Sequence, residues 1–378
     1  MPLRGCGLSG GLDLDALAAA GLYDADAPDA AERRELLHFL LEQGCSLDEM
    51  IVADSRGRLF ALAGDRIIRP ARDKYTLAEV ADQVGCSVAE ARSLWRAFGL
   101  VVGDPDQPVA SDADVEMIRT SVGMAGVLGL EATLGLARVM GSSMARVGDA
   151  ASTSVRGNMP SMSVAVSGSE LETARAFAGI AGAVPALGRV LDTLFRHHLE
   201  SARMHFERTE SWDIVGQGGI RVGVGFTDLC GFTGLTQQLS MDNLSLLLSR
   251  FEEIATDVVN DRGGRLVKFI GDAVMFVATD AKTAVEVAEA LVASAQVRGL
   301  TARGGVTVGA TLALDGDYFG PVVNLASRLC NLAEPGTVLV SDEVAERVGD
   351  TRSAVSLGPQ QIRGFDDPIN VSRLTTVG

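Results

Sequence analysis

Residues 265–278 read RLVKFIGDAVMFVA, two runs of β-branched and aromatic residues joined by a Gly-Asp pair. Such runs favour strands, and a glycine-containing pair between them predicts a β-hairpin. Further strand-like runs lie on either side, at 221–229 (RVGVGFTDL) and 304–312 (GGVTVGATL), and helical patterns separate them, around Asn243–Asn260 and over Ala281–Val297. The order strand, helix, hairpin, helix, strand is that of a ferredoxin-like split βαβ core.

The rest of this half continues the alternation of strands and helices. A helix is predicted near Val322–Leu332, and short strands are predicted at 337–341 (TVLVS) and 369–374 (INVSRL). We therefore expect residues 219–378 to form an α+β domain with a ferredoxin-like core and additions.

The first half of the chain shows a helical pattern instead. Apolar residues recur at spacings of three and four in Ala31–Gln43, Leu77–Phe98, Asp112–Arg146 and Ser169–Leu199. Between the last two stretches, Ser152–Ser169 contains Gly, Asn and Pro and is predicted to be a flexible connector or a loop between helices. The sequence thus predicts a multi-domain protein, with an all-α domain over 1–190, a helical linker over 191–218 and the α+β domain over 219–378.

Charge and composition narrow the classes of function. The chain has 378 residues, a formal net charge of −16 and a sequence pI of about 4.7. Without a strongly positive field, nucleic acid and anionic membranes are disfavoured as main partners.

The sequence also indicates a cytoplasmic location. The five cysteines are widely spaced and form no C-x-x-C pair, which is typical of reduced thiols. Aspartates enter near the start, before an apolar run of signal-peptide length. The apolar run Val122–Val139 is interrupted by Glu131 and Arg138, so we expect no membrane span.

Two acidic residues of the second half are candidates for metal binding. Asp228 ends the strand in FTDLCGFT (226–233), and Asp272 lies at the predicted hairpin tip. Each has an ordinary alternative, a helix N-cap for Asp228 and a turn residue for Asp272. Together the two carboxylates could hold a pair of divalent metal ions, as phosphoryl and nucleotidyl transfer requires.

A third motif, DYFGPVVNLASRL (317–329), adds an amide and a guanidinium. Asn324 and Arg328 are four residues apart and would share one face of a helix. Asn can hydrogen-bond a ribose, and Arg can stabilise negative charge developing on phosphorus. The alternative is a solvated helix face.

Taken together, FTDLCGFT, KFIGD and DYFGPVVNLASR resemble the catalytic motifs of class III nucleotidyl cyclases, over roughly residues 220–378. The resemblance implies that Asp228 and Asp272, helped by the backbone carbonyl of Leu229, bind two divalent ions (Mg²⁺ or Mn²⁺) per site. It places Phe232 and Thr233 among the substrate-binding residues.

The same resemblance implies the remaining site residues. Lys268 and Asp317 match the pair that reads adenine, which favours ATP over GTP. Asn324 and Arg328 match the residues that orient the ribose and stabilise the transition state. Arg363 matches the triphosphate-binding position in a late strand, which is usually a lysine in this family; an arginine keeps the charge but changes the geometry.

The implied reaction is attack of the ribose 3′ oxygen of ATP on the α-phosphorus, giving cyclic AMP and pyrophosphate. The motifs contain no evident general base, which suits metal activation of the hydroxyl. In this family the site lies between two cyclase domains. Because this chain carries both sets of residues, the resemblance implies a homodimer with two equivalent sites. A guanylyl or mixed-specificity cyclase is the alternative within the family.

Residues 75–96 resemble the winged helix-turn-helix of transcription regulators. The second predicted helix carries Glu90, Arg92 and Arg96 and is poor in base-reading donors, so a helical packing module is favoured over DNA binding. A nucleotide-sensing transcription regulator with an inactive cyclase-like domain is the alternative from another class of function.

The helical half as a whole resembles the regulatory domain of acid-activated actinobacterial adenylyl cyclases, which inhibits the catalytic dimer at neutral pH. Three of the four histidines, His197, His198 and His205, lie on the predicted linker helix. Histidine titrates between pH 5 and 8, so these residues are candidates for a pH switch; a solvated linker helix without switching is the alternative. We also consider a small-molecule or lipid ligand for the apolar helical half.

Overall fold

The computed structural model describes residues 13–71, 73–159, 163–208, 219–297, 299–349 and 352–375. Contacts divide the chain into two compact units, Met1–Arg196 and His197–Gly378. A single helix, Val184–Arg208, runs across this boundary. The finer three-part division into 1–190, 191–218 and 219–378 stays a prediction.

The described part of the first unit is helical, as predicted. Its α-helices, with the last one continuing into the second unit, are α1 (Leu14–Ala19), α2 (Ala30–Glu42), α3 (Leu47–Ser55), α4 (Leu62–Ile68), α5 (Leu77–Val84), α6 (Val88–Ala97), α7 (Asp112–Leu128), α8 (Leu130–Asn158), α9 (Val164–Ser167), α10 (Glu170–Ala181) and α11 (Val184–Arg208). One apolar core joins α1 to α4 with α10, and another joins α5 to α8.

Several predicted boundaries in this unit were wrong. The stretch Asp112–Arg146 is two helices, because Gly129 adopts φ +86° between α7 and α8. The predicted connector Ser152–Ser169 is helical up to Asn158, since the helix continues until the sequence approaches Pro160. The stretch Ser169–Leu199 is divided between α10 and α11.

Helices α5 and α6 form the helix, turn and helix predicted at 75–96. Gly85 makes the turn with φ +83°, a conformation that favours glycine. The exposed positions of α6 include Val88, Ala89, Ser93 and Arg96. This face offers few groups for reading bases, which favours a packing role over DNA recognition.

One stretch of the described residues, Glu170–His205, is long and apolar enough to cross a membrane by length and composition alone. Its most apolar window has a mean hydropathy of 1.3 and is 11% buried. The stretch is divided between α10 and α11, and Leu171 and Ala174 of α10 are buried in the core of the first unit. This packing favours a core helix for its first part; the cytoplasmic location stays a prediction.

The second unit is α+β, as predicted. Its elements are β1 (Gly219–Leu229), α12 (Phe232–Thr236), α13 (Met241–Asp261), β2 (Arg265–Ile270), β3 (Ala273–Ala278), α14 (Ala281–Val297), β4 (Ala302–Leu314), β5 (Asp317–Phe319), α15 (Pro321–Leu332), β6 (Val338–Ser341), α16 (Asp342–Val348), β7 (Ser353–Gln360) and β8 (Ile369–Thr375). The predicted hairpin is β2–β3, and the predicted helix Ala281–Val297 is α14.

The sheet has the order β2-β3-β1-β4-β6-β8-β7, with β5 paired to β4. In the order β2-β3-β1-β4, each strand is antiparallel to its neighbour, which is the arrangement of a split βαβ core. Helices α13 and α14 bury one face of the sheet and α15 packs on another cluster that includes β1 and β3. The functional candidates therefore lie on elements with well-packed cores.

Candidate active site

The first cluster of the site is a pair of carboxylates, Asp228 and Asp272. Asp228 lies near the end of β1, where it pairs with Ala273, and Asp272 lies in the turn between β2 and β3. Gly271 makes this turn with φ +62°. The backbone N–H of Leu229 donates to the Asp272 carbonyl at 3.2 Å, which joins the end of β1 to the turn. The fold thus brings the two predicted metal ligands together.

Electrostatics within this pair favour a bound cation. Burial raises the pKa of Asp272 above its usual value, and the charge of Asp228 and a hydrogen bond with it raise this pKa further. Arg303 acts in the opposite direction. Two neighbouring carboxylates of this kind are stabilised in their charged form by a cation placed between them.

Arg303, at the start of β4, already supplies one positive charge. It is the register partner of Asp228, and its Nη2 donates to Asp228 Oδ2 at 3.1 Å. Its Nη1 donates to the backbone carbonyl of Asn331 at 2.8 Å. Sequence reasoning missed this residue, because only the register between β1 and β4 places it opposite Asp228.

The donor set fits a hard divalent cation. Carboxylate oxygens are the ligands that Mg²⁺ prefers, and a guanidinium already occupies part of this position. Within the described ranges, no group of three or more His, Cys, Asp and Glu side chains is arranged to hold a metal. Further ligands would come from backbone carbonyls, water or a substrate. Leu229, the predicted backbone ligand, is the last residue of β1 and is buried.

A second cluster joins β2 to β5. Lys268 on β2 forms an ion pair with Asp317 on β5, and both side chains are partly exposed. The backbone N–H of Tyr318 donates to Asp317 Oδ1 at 2.8 Å and orients the carboxylate. Tyr318 itself is buried in the cluster beneath α15. The two residues predicted to read the base are therefore neighbours, with donor and acceptor side by side.

The third group lies on α15, which begins after Gly320 with Pro321 in its first turn. Asn324 and Arg328 are both exposed and one turn apart. On the other side of this helix, Ala326 and Cys330 pack against the sheet. The predicted amide and guanidinium consequently face away from the core.

Close packing holds α15 on the sheet. At Gly305 of β4, a Cβ atom would lie 2.2 Å from the backbone N of Cys330 and 2.4 Å from the carbonyl of Ala326. Only glycine allows this approach of helix to strand. Burial raises the pKa of the Cys330 thiol to about 12.

The remaining residues predicted to bind substrate, Phe232, Thr233 and Arg363, lie on different elements. Phe232 begins α12 and packs, partly buried, against the core formed by α13, α14 and the sheet. The side chain of Thr233 lies outside the described residues. Arg363 is exposed in a turn between β7 and β8. The expectation of a strand at Arg363 was wrong, since β7 ends at Gln360.

Strand β4 pairs both with the strand that carries Asp228 and with the strand that carries Asp317, one of the two residues predicted to read the base. Arg303 at its start pairs with Asp228, whereas Leu314 at its end pairs with Asp317. Asp228 and Asp317 thus pair with opposite ends of the same strand.

Comparison with known proteins decides the family. Residues 14–203 match the family described as Adenylate cyclase regulatory domain, and residues 217–371 match the Adenylate and Guanylate cyclase catalytic domain. The chain belongs to the class III adenylate cyclases. The predicted combination of a helical regulatory domain with a cyclase domain is confirmed.

Relatives match this cyclase over most of its length. An uncharacterized protein of Mycobacterium tuberculosis is 42% identical over 95% of this chain and 93% of its own. An adenylate cyclase of Streptomyces coelicolor is 33% identical, covering 78% and 77% of the two chains. A pH-sensitive adenylate cyclase of M. tuberculosis is 29% identical, covering 93% and 90%.

The three histidines predicted to act as a pH switch differ in their surroundings. His197 and His198 are exposed on α11, whereas His205 is half-buried. Burial lowers the pKa of His205, and the nearby positive charge of Arg265 lowers it further. Arg265 begins β2, the strand that carries Lys268. His205 is therefore the histidine whose protonation is linked to packing within the catalytic unit.

The regulatory half of the cyclase contains a cavity of about 670 Å³ between α7, α8 and the turn that follows α6. Four methionines line it: Met117, Met124, Met140 and Met144. Among the described residues of its lining, Glu116 alone carries a charge. Such a surface favours an apolar ligand over an ionic one.

Proposed function

We propose that this adenylate cyclase converts ATP to 3′,5′-cyclic AMP and pyrophosphate at two equivalent sites, each formed between two copies of the chain. One observation carries the proposal: a single chain holds both the carboxylate pair, Asp228 and Asp272, and the Lys268–Asp317 pair, so two copies of it can supply every residue of a shared site. A site built from the carboxylates of one chain and the base-reading pair of its partner would be repeated twice by the two-fold axis.

Asp228 and Asp272, with the Leu229 carbonyl, are the residues that would hold two divalent ions, Mg²⁺ or Mn²⁺. When bound, such ions neutralise the triphosphate and lower the pKa of the attacking hydroxyl. The pairing of the two carboxylates supports this assignment, since the fold holds them together at the cost of mutual repulsion.

Lys268 and Asp317 would select the base. The lysine donates to a ring nitrogen of adenine, and the aspartate accepts from the exocyclic amine. Their ion pair supports the assignment, because it sets a donor and an acceptor side by side before any nucleotide binds. We therefore propose ATP over GTP as the preferred substrate.

Asn324 and Arg328 would act on the ribose and the α-phosphate. Asn324 orients the sugar so that its 3′ oxygen faces the phosphorus, and Arg328 stabilises the charge that develops on the phosphate oxygens. Arg363 and the segment beginning at Phe232 and Thr233 would contact the triphosphate. Support for the first two is their shared, exposed face on α15.

The homodimer has additional support from exposed apolar side chains near the base-reading pair. Leu312, Leu314 and Phe319 of the β4–β5 hairpin are 43%, 52% and 46% exposed. Leu312 and Phe319 are cross-strand partners, so they form a continuous apolar surface. A second cyclase domain would bury this surface next to Asp317.

We further propose that the helical domain inhibits the enzyme at neutral pH and that acid relieves the inhibition. The relative described as pH-sensitive supports this, as does the half-buried position of His205 on α11. Cyclic AMP formation by the full chain and by a shortened chain starting near Ser211 tests it across about pH 5 to 8. A rise on acidification in the full chain alone is expected, and identical pH curves would contradict the switch.

For the cavity of the regulatory half we propose an apolar small molecule or lipid as ligand. The neutral dye Nile red should bind with enhanced fluorescence, and Met140→Trp should reduce binding by filling the space. Met241→Trp is the matched control, since Met241 lies on α13 and is 80% exposed. Equal dye binding by both variants would contradict the assignment.

A further inference from the structure

Arg303 contacts Asp228, one of the two proposed metal ligands. Its Nη2 lies 3.1 Å from Asp228 Oδ2, and the side chains of Arg303 and Asp228 are 26% and 18% exposed. In this setting, partly shielded from water, an arginine–carboxylate hydrogen bond is stronger than at an open surface.

A second contact keeps the guanidinium in place. Nη1 donates to the backbone carbonyl of Asn331 at 2.8 Å, near the end of α15. This acceptor is neutral and belongs to the helix backbone, so it remains available when Asp228 changes partner. Arg303 can release the carboxylate and still stay close to it.

The Asp228 carboxylate binds a divalent ion less strongly while its Oδ2 accepts a hydrogen bond from the guanidinium. A carboxylate that accepts from Arg303 at Oδ2 has part of its charge neutralised, and a hard cation gains less from binding it. A metal ion must therefore compete with the charge of the protein's own arginine.

We propose that Arg303 is a positioning residue that holds Asp228 in the nucleotide-free cyclase, so that a divalent ion binds only by displacing its guanidinium. The proposal rests on the proposed metal-binding role of Asp228 and Asp272. The arginine holds the Asp228 carboxylate through this hydrogen bond, and on metal binding it is released from Asp228.

The test measures binding of Mn²⁺ alone, without nucleotide, to the full-length protein by the EPR signal of free Mn²⁺. Arg303→Gln should bind Mn²⁺ at least about tenfold more tightly than the wild type, since a hydrogen bond to a charged group contributes on this order. Arg303→Lys keeps the charge but not the fork geometry and should lie between the two.

Two further variants show whether a change in Mn²⁺ affinity comes from the net charge or from the contact with Asp228. Arg221→Gln is the matched control: Arg221 lies on β1 in an ion pair with Glu343, so its loss changes the net charge equally but away from the carboxylate pair. It should bind Mn²⁺ as the wild type does. Asp228→Asn should weaken Mn²⁺ binding in every background.

Two outcomes distinguish the competition by Arg303 from the proposed role of Asp228 in metal binding. If Asp228→Asn leaves Mn²⁺ binding unchanged, the metal assignment itself is wrong. The second outcome is that Asp228→Asn weakens Mn²⁺ binding, whereas Arg303→Gln binds Mn²⁺ within about twofold of the wild-type affinity. Because a charged hydrogen bond predicts a change of about tenfold, this outcome would overturn only the competition by Arg303.

A measurement on the wild type covers the case in which Arg303→Gln does not fold. In protein labelled with ¹⁵N-arginine, the Nε–H resonance of Arg303 is identified as the one that disappears in Arg303→Lys. This resonance should shift when Mg²⁺ is added, over the same range of Mg²⁺ concentration in which Mg²⁺ binds. The Arg221 resonance should stay in place. An Arg303 resonance that does not move at saturating Mg²⁺ would overturn the proposal.

Discussion

Lys268 on β2 and Asp317 on β5 form an ion pair within one chain, although 49 residues separate them in the sequence. The Tyr318 N–H fixes one oxygen of Asp317, and Lys268 binds the other. A donor and an acceptor are thereby held side by side, as the proposed role of this pair in base selection requires.

Exchanging the chemistry of this pair should change the preferred nucleotide. The double variant Lys268→Glu, Asp317→Cys should lower kcat/KM for ATP and raise it for GTP, shifting their ratio by at least about tenfold. Lys268→Glu alone sets two carboxylates against each other and should be less stable than the double variant. Rates of cyclic AMP and cyclic GMP formation provide the measurement.

Lys282→Glu is the control for the Lys268→Glu part of this exchange, because Lys282 is exposed on α14 and undergoes the same reversal of charge there. It should keep the wild-type preference. A double variant that keeps the ATP preference of the wild type would show that other residues read the base.

Removing a carboxylate of the first cluster should abolish catalysis without unfolding the protein. Asp228→Ala and Asp272→Asn should each lower cyclic AMP formation by at least about a hundredfold, since charge stabilisation is the largest contribution to such reactions. The raised pKa of Asp272 means that its charged form is disfavoured in the folded state. Asp272→Asn should therefore leave the urea midpoint of unfolding unchanged or higher.

Activity in Asp272→Asn close to that of the wild type would exclude this carboxylate from catalysis. A large fall in the urea midpoint would instead assign Asp272 a structural role in the hairpin.

The close approach of α15 to β4 predicts a sharp difference between neighbouring glycines. Gly305→Ala places a methyl group against the backbone of Cys330 and Ala326, so it should cost about 1–3 kcal/mol of unfolding free energy, as overpacking does. It should also lower activity by shifting Asn324 and Arg328.

Gly304→Ala is the matched control, because its nearest neighbour is a Val338 methyl at 3.3 Å. It should be closer to the wild type in chemical denaturation. Equal stabilities for the two variants would mean that α15 does not lie as tightly on the strand as described.

The pH response should depend on His205 more than on its neighbours. Its pKa is lowered from 6.5 in the packed state, so packing of α11 is favoured above that pH and weakens as the pH falls. Replacing all three histidines by Asn should flatten the activity profile of the full chain between about pH 5 and 8. His205→Asn alone should remove most of the response.

The paired variant His197→Asn, His198→Asn is the comparison, since both side chains are exposed. It should keep the acid activation. If the triple variant retains the wild-type profile, histidine titration is not the signal.

Elements with strong local patterns were predictable from the sequence. Helix α14 has the predicted bounds Ala281–Val297, because its apolar residues repeat with helical periodicity and it is buried on the core side. The hairpin β2–β3 was predictable from its strand-forming runs and its Gly-Asp turn. Asp228 and Asp272 could be paired because both lie where strands end.

Features that depend on long-range register were not predictable. Arg303 sits at the start of an apolar strand, and nothing local indicates that β4 pairs it with Asp228. The location of Arg363 in a turn also depends on where β7 ends. The exposed strand β7 and the short strand β5 lack a buried alternating pattern, so their sequences gave no strand signal.

A heterodimer in which each chain carries a different defect tests most directly whether two chains share each site. One chain carries Asp228→Asn and the other carries Asn324→Ala, and two affinity tags isolate the mixed pair. If each site draws the carboxylates from one chain and Asn324 from the other, one of the two sites is intact, and the heterodimer should form cyclic AMP at about half the wild-type rate. Both parent homodimers should be inactive. A heterodimer as inactive as its parents, beside an active wild type, would contradict a site shared between two chains.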